Sequence, residues 1–395
     1  MKLFYSDRCA LHNPGFEILS GNATPYLESP SRMMAIMSHI AQDERTSSWS
    51  WENIDSSKDS GELPVDAIEA INRVHHPDYV EYLRNAYEVW VQDGGSKAAV
   101  LPETFPHPAL LAAAKQAAHP KNLPPLAKAD TFGSAVAAVQ VVLQALRHLV
   151  AQANHNKYIE TEGATGVSAP ACLGVFALTF VPQASRPSQL IIGTCRRPPG
   201  HHAGSSVCGG YCFFNNVAIA AKCLQHETAR ATSEVPKVAI LDIDYHHGNG
   251  TQEVFYHDPS VLYVSLHAEG DYPYFTGTEN EVGDGPGTGF NLNIPLPQHR
   301  TGNEEYLVAL RQGVDKISHY SPQWLIVSLG VDTYKDDPIC HFKLTTECYY
   351  EIGREIGKLG LPGLFAMEGG YHLETLGANV GGVLAGFASA SCSGR

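Results

Sequence analysis

From Ser188 to Leu384 the chain alternates short apolar runs with longer stretches of helical periodicity, and nothing else in it narrows the possible folds so far. Gln189–Cys195, Lys237–Asp244, Ser260–His267, Trp324–Val331 and Leu364–Glu368 read as strands. Asn216–Gln225, Glu304–Ile317 and Glu347–Leu359 read as helices between them, and a last helix runs through Leu384. Near-continuous Val, Ile and Leu strands separated by helices make a parallel sheet covered on both faces. The expected fold is α/β, a single-domain, doubly wound, mostly parallel sheet flanked by helices. Such a sheet gathers its chemistry at the carboxyl ends of its strands.

Upstream, Met1–Asp7 reads as a short first strand that meets charge too early for a secretory signal. Val65–Val91 reads as one or two amphipathic helices broken near Pro77, and Ser134–Val150 as a helix. Leu101–Thr131, punctuated by six prolines, and the irregular Ala151–Pro187 read as insertions. One domain, 1–387, is expected, with a flexible tail at 388–395. The 27 Lys and Arg against 41 Asp and Glu give a net charge of −14, which argues against a nucleic-acid partner. No run of 18 apolar residues is present, so no membrane span is expected. Nine scattered cysteines read as free thiols in a reducing compartment, the cytoplasm first, with the nucleus left open.

Four strand ends carry polar clusters. They are Arg196–Gly204, Asp242–Gly250, Ser328–Asp332 and Met367–Tyr371. Taken singly, each could cap a helix or pack in a turn. Two Asp and two His within Asp242–His247, however, are expensive to bury without a cation. Alternation along a strand predicts that Asp242, Asp244 and His246 point the same way. Together the clusters compose a metallohydrolase. Asp244, His246 and Asp332 supply three metal ligands. His201 and His202 are placed to handle the proton of an activated water. Tyr371 is placed to donate to an oxyanion, and Asp242 and Asn249 to orient the two imidazoles. The run Gly283–Gly289 only mimics a phosphate loop, since it lacks the lysine and the strand-loop-helix context.

These motifs resemble the arginase–deacetylase superfamily, in particular its histone-deacetylase-like branch and, within that, the acetylpolyamine amidohydrolase group. The resemblance rests on Arg197-Pro-Pro-Gly-His-His-Ala, Gly209-Gly-Tyr-Cys-Phe-Phe-Asn-Asn, Asp242-Ile-Asp-Tyr-His-His-Gly-Asn-Gly-Thr-Gln, Val327-Ser-Leu-Gly-Val-Asp-Thr and Met367-Glu-Gly-Gly-Tyr. Glu28-Ser-Pro-Ser-Arg32 adds weaker similarity. The resemblance implies that Asp244, His246 and Asp332 hold Zn²⁺, or Fe²⁺. It implies that His202, oriented by Asn249, is general base and then acid, and that His201, paired with Asp242, is its electrostatic partner. It implies that Tyr371 polarises the acetyl carbonyl, and that Tyr211 and Phe275, with Gly210, line a slot for the substrate's methylene chain. A structural K⁺ held at Asp242, Asp244, His246, Ser265 and Leu266 is also implied, as is Arg32 beside an internal channel.

The substrate is less legible. The loop Ala268–Gly289 carries Glu269, Asp271, Glu279, Glu281 and Asp284 with no Lys or Arg, and reads either as a cation-attracting rim or as a solvated acidic loop. The resemblance implies a homodimer whose 101–131 insertion narrows the entrance, although acidic residues expected there have no clear counterpart. The leading expectation is a zinc-dependent deacetylase of acetylpolyamines or other small acetylamines. A protein acetyl-lysine deacetylase is the close alternative, an arginase-like enzyme a further one, and a non-catalytic scaffold the most remote. Cys208 and Cys212 read as unlinked thiols.

Overall fold

Eight strands pair side by side, all parallel, in the computed structural model of the chain. It describes residues 1–19, 22–57, 65–95, 97, 130–162, 191–195 and 197–393. The strands are β1 (Lys2–Tyr5), β4 (Ser50–Asn53), β5 (Ile191–Cys195), β6 (Val238–Asp242), β7 (Val261–Ala268), β8 (Asn291–Leu296), β9 (Trp324–Leu329) and β10 (Gly363–Met367). Their order across the sheet is β4-β1-β5-β10-β9-β6-β7-β8. A separate antiparallel hairpin joins β2 (Glu17–Leu19) to β3 (Asn22–Thr24).

Alternate residues of each central strand feed opposite faces. In β6, Ala239 and Leu241 enter one apolar core while Val238 and Ile240 enter the other. The same division holds for Leu325, Val327 and Leu329 against Trp324 and Ile326 in β9. Both faces are therefore covered, as the unbroken apolar runs predict. One core is closed by α1 (Ser31–Gln42), α7 (Asn303–Tyr320), α8 (Thr346–Gly357) and α9 (Leu373–Ser393). The other is closed by α2 (Val65–Ile71), α3 (Pro77–Gln92), α4 (Thr131–Glu162) and α5 (Asn216–Thr232). The short α6 (Asn249–Phe255) follows β6 and contributes Phe255 to that second core.

Local chemistry sets the helix ends. Pro77 opens α3, where its missing N–H is no loss, and the His76 ring accepts from Asp78 N. The Asn215 side chain accepts from Ala218 N at 3.0 Å to cap α5.

Several expectations are corrected. Thr131–Ala153 of α4 is long and apolar enough by composition to cross a bilayer, but 67% of that window is buried. Its Val136, Val139, Val142 and Leu146 form the second core. The helix also continues to Glu162, so the first residues of the supposed irregular 151–187 insertion are helical. The rest of that segment, and all but the last two residues of the 101–131 insertion, lie outside the described residues. The chain from Ala388 does not fray as expected but extends α9 to Ser393. β8 was hidden by Asn291, Asn293 and Pro295, which break the apolar pattern yet tolerate an edge strand. β4 was hidden by its polar Ser50, Glu52 and Asn53 at the opposite edge.

Candidate active site

The sheet order makes neighbours of the four strands whose ends carry the polar clusters. β5, β10, β9 and β6 lie side by side and deliver His201 and His202, Tyr371, Asp332 and the Asp244–His246 turn to one place. β6 ends at Asp242, so Asp244 and His246 converge through a turn and not through strand alternation. Asp242 consequently faces elsewhere. Its Oδ2 accepts from the Tyr263 hydroxyl at 2.9 Å and lies 3.1 Å from His201 Nδ1.

Asp244, Asp332 and Asp242 are essentially buried, as are His201 and His202. Asp244 Oδ1 accepts from His246 N at 2.9 Å, and Asp244 Oδ2 from Gly369 N at 2.8 Å. Asp332 Oδ1 accepts from Tyr245 N at 2.9 Å, and the next helix begins only at Thr346, so the capping role open from sequence falls away. His246 Nδ1 faces two carboxylate oxygens, Asp244 Oδ1 at 3.4 Å and Asp332 Oδ2 at 3.3 Å. Asp332 Oδ2 is buried and has no hydrogen-bond partner. A tetrahedral ion with bonds of about 2.1 Å keeps its ligand atoms about 3.4 Å apart, and His246 Nδ1 stands at that spacing from both carboxylates. Burial alone would lower the His246 pKa, but Asp244 and Asp332 outweigh it and raise it to about 10. A field that holds a proton so firmly also attracts a metal.

Two further buried groups stand close by. Cys340 lies with His246 and Asp332, and Glu368 and Cys212 with His201. Burial and then Asp332 hold the Cys340 thiol far above its ordinary range. Glu368 accepts from Gly200 N at 2.6 Å and His201 N at 3.3 Å, tying the Tyr371 loop to the histidine loop.

The histidine pair is differentiated by its partners. His201 Nδ1 donates to Asp242, and although burial lowers its pKa, Asp244 and Asp242 raise it to about 10. His202 lies 4.0 Å from it, centroid to centroid. Burial, then the charges of His201 and His246, push His202 well below the usual imidazole value. His202 Nδ1 donates to Asn249 Oδ1 at 2.8 Å, which leaves Nε2 as a lone-pair base. Such opposed tuning of adjacent groups marks acid–base chemistry.

Tyr371 is buried, and burial raises its hydroxyl well above the ordinary range, so it remains a donor. Its ring packs 5.8 Å from Tyr211 and 4.9 Å from the Arg32 guanidinium, centroid distances in both cases. Tyr371 N donates to Asp337 Oδ2 at 2.8 Å. Beneath it, Arg32 Nε donates to Gly370 O at 2.7 Å and Arg32 Nη1 to Glu28 Oε1 at 2.9 Å. Glu28 Oε1 also accepts from Arg197 Nε at 2.7 Å. This buried triad bolts the Tyr371 loop to the start of the histidine loop.

At the mouth, Gly210 has φ +50°, and a Cβ there would overlap the His202 ring. Tyr211, also at positive φ, donates its hydroxyl to both Glu17 oxygens at 3.0 and 2.9 Å. Phe275 is 90% exposed and sits on the rim, its ring against Tyr274. Tyr272, which sequence reasoning missed, packs 4.9 Å from His202 and 6.0 Å from His246. Of the five acidic rim residues, Asp271 accepts from Tyr245 and Glu281 from its own loop, so both are committed inward. Asp242 pairs in register with Ser265, which sets two of the five residues suggested for a second cation side by side. Cys208 and Cys212 are buried and form no disulfide with each other, and Cys212 Sγ donates to Gly210 O at 3.3 Å.

A parallel sheet of this order, with carboxylates, imidazoles and a tyrosine at four adjacent strand ends, defines a deacetylase-fold amidohydrolase. The histone deacetylase domain model matches residues 26–387. The chain is 37% identical to acetylpolyamine amidohydrolase 2 of Pseudomonas aeruginosa over 391 residues, covering 98% of each. It is 31% identical to acetylpolyamine amidohydrolase of Mycoplana ramosa, covering 98% of this chain and 100% of that one. Among solved structures, acetylpolyamine aminohydrolase from Burkholderia pseudomallei superposes with a TM-score of 0.77 at 27% identity, over 99% of both chains. The chain belongs to the histone deacetylase domain family and is a deacetylase-type amidohydrolase.

Proposed function

We propose that the protein hydrolyses the amide of small N-acetylated amines, acetylpolyamines first among them, with zinc held by Asp244, His246 and Asp332. The observation that carries this reading is the pair of adjacent histidines with opposed proton affinities beside three converging donors. Bound there, zinc would supply an activated water and polarise the acetyl carbonyl. His202 Nε2, its tautomer set by Asn249, accepts the water's proton and returns it to the leaving amine. His201, charged against Asp242, stabilises the negative charge that develops. Tyr371 donates to the carbonyl oxygen. Tyr211 and Tyr272 flank the slot, and Phe275 meets the substrate at the mouth.

The full-length likeness to three curated acetylpolyamine amidohydrolases supports the small-amine substrate. A K⁺ at the Asp242–Ser265 step is part of the proposal. His267 Nε2 lies 2.9 Å from the Gly277 carbonyl and so carries the proton. Its Nδ1 therefore takes the Ser265 hydroxyl proton at 2.9 Å, which leaves the serine oxygen's lone pairs for a cation. We also place the enzyme as a homodimer, which light scattering tests.

The test of substrate is a panel. Purified protein is given acetylputrescine, acetylspermidine and an acetyl-lysine peptide. Turnover favouring the two polyamines is expected, and turnover of the peptide alone would replace this reading with a protein deacetylase.

A further inference from the structure

His247 follows a metal-ligand candidate directly in sequence, yet both its ring nitrogens are engaged elsewhere. Nδ1 lies 2.8 Å from Thr276 Oγ1, and Nε2 lies 3.1 Å from Gln252 Oε1. The ring packs against His267 at 4.7 Å. These contacts run to the loop that carries Tyr272 and Phe275 at the mouth.

The direction of each hydrogen bond can be deduced. Gln252 Nε2 donates to Glu281 Oε2 at 3.0 Å, and because a carboxylate only accepts, the other end of that amide must be its oxygen. Asn291 Nδ2 and Asn293 Nδ2 donate to the same Gln252 oxygen at 2.9 and 2.8 Å. His247 Nε2 therefore carries the proton and Nδ1 does not. The Thr276 hydroxyl is then the donor to Nδ1. Glu281 Oε2 further accepts from Gly277 N at 2.6 Å and Thr278 N at 3.2 Å, and His267 Nε2 donates to Gly277 O at 2.9 Å. Gly277 is at φ +93°, and a Cβ there would overlap both His267 and His247. Two buried histidines thus grip the loop where no side chain fits.

We propose that His247 and Thr276, backed by Gln252 and Glu281, form a latch that fixes the rim loop Asp271–Glu281 against the turn of the metal ligands. The latch sets how tightly the mouth grips an acetylated amine, a consequence that rests on the function proposed above. Thr276 is in this account a positioning residue, and the slot wall responds to it through Tyr272 and Phe275.

The test compares Thr276→Val, which keeps the shape and deletes the donor, with Thr276→Ser, which keeps the donor. In Thr276→Val a buried Nδ1 lone pair loses its donor, so KM for acetylputrescine rises about tenfold while kcat changes by less than about twofold. Amide exchange at Gly277 and Thr278 quickens about tenfold, and the ¹⁵N resonance of His247 Nδ1 moves toward that of an unbonded ring nitrogen while Gln252 keeps the proton on Nε2. Thr276→Ser restores all three. Unchanged exchange and an unmoved Nδ1 resonance in Thr276→Val overturn the latch, as does failure of Thr276→Ser to restore them, because methyl packing would then explain the effect. If the wild type hydrolyses no acetylated amine, the functional reading fails, while exchange and the Nδ1 resonance still decide the latch.

Discussion

At the floor of the site, Asp242, Asp244, Asp332, His201 and Glu368 are all but inaccessible, and most of their polar atoms are bonded to backbone or to each other. At the rim, Tyr274 and Phe275 stand 64% and 90% exposed, and Glu269, Glu279 and Asp284 face solvent. Floor residues arrive from four adjacent strands of one rigid sheet. Rim residues arrive from a single loop held by side-chain hydrogen bonds. On the proposed function, the difference teaches where each property resides. Reaction chemistry is fixed by the floor, where a small misplacement leaves a buried charge uncompensated. Substrate preference belongs to the rim, where a change leaves the chemistry standing.

That comparison can be broken at several points, and the largest effects belong to the floor. Tyr371→Phe is expected to lower kcat by about 10²–10³ while zinc content by elemental analysis stays at wild-type level. Loss of zinc would instead make Tyr371 part of the scaffold. Glu28→Gln leaves the Arg32 and Arg197 guanidinium groups in place with no carboxylate between them. Breaking a buried ion cluster of this kind costs about 3–5 kcal/mol of stability, which urea melts would show as a lower midpoint with unchanged slope.

Asn249→Asp probes the tuning of the base. A carboxylate against His202 favours its protonated form, so the proton leaves at higher pH. The acid limb of the kcat/KM profile is then expected to move up by about one pH unit. A limb that stays in place would remove His202 as the base. The smallest effect is at the rim. Replacing exposed Glu269 and Glu279 by Gln should weaken kcat/KM for acetylspermidine by about twofold to fivefold, vanishing at high salt, with kcat unchanged. An effect as large as that of Tyr371→Phe would erase the distinction between floor and rim.

The floor was nearly all legible from sequence because its chemistry lies in short, contiguous strand-end motifs. Asp244, His246, Asp332, His201 and His202 come together as their residue types suggested, and the Tyr371 loop joins them through Gly369 N, which donates to Asp244. What sequence lacked was the order of the strands, which makes β5, β10, β9 and β6 neighbours. The common direction expected of Asp242, Asp244 and His246 also fails, because strand alternation stops where β6 turns, although Asp242 meets His201 as read. Tyr272, Glu368 and the Glu28 triad depend on pairs more than a hundred residues apart or on loop geometry, which carry no local period. Glu28 and Glu368 lie inside motifs that had been quoted, so an unexplained acidic residue there was the available signal. The acidic rim was only partly legible for a related reason, since composition cannot show that Asp271 and Glu281 turn inward while Glu269, Glu279 and Asp284 stay exposed.

Metal dependence tests the account at its centre. Acetylputrescine turnover would be followed in the protein as purified, after removal of bound metal by a chelator, and after return of one equivalent of zinc. The account predicts turnover, its loss on chelation, and its recovery with one zinc per chain. Full turnover in the stripped protein, or none at full zinc occupancy, would contradict it.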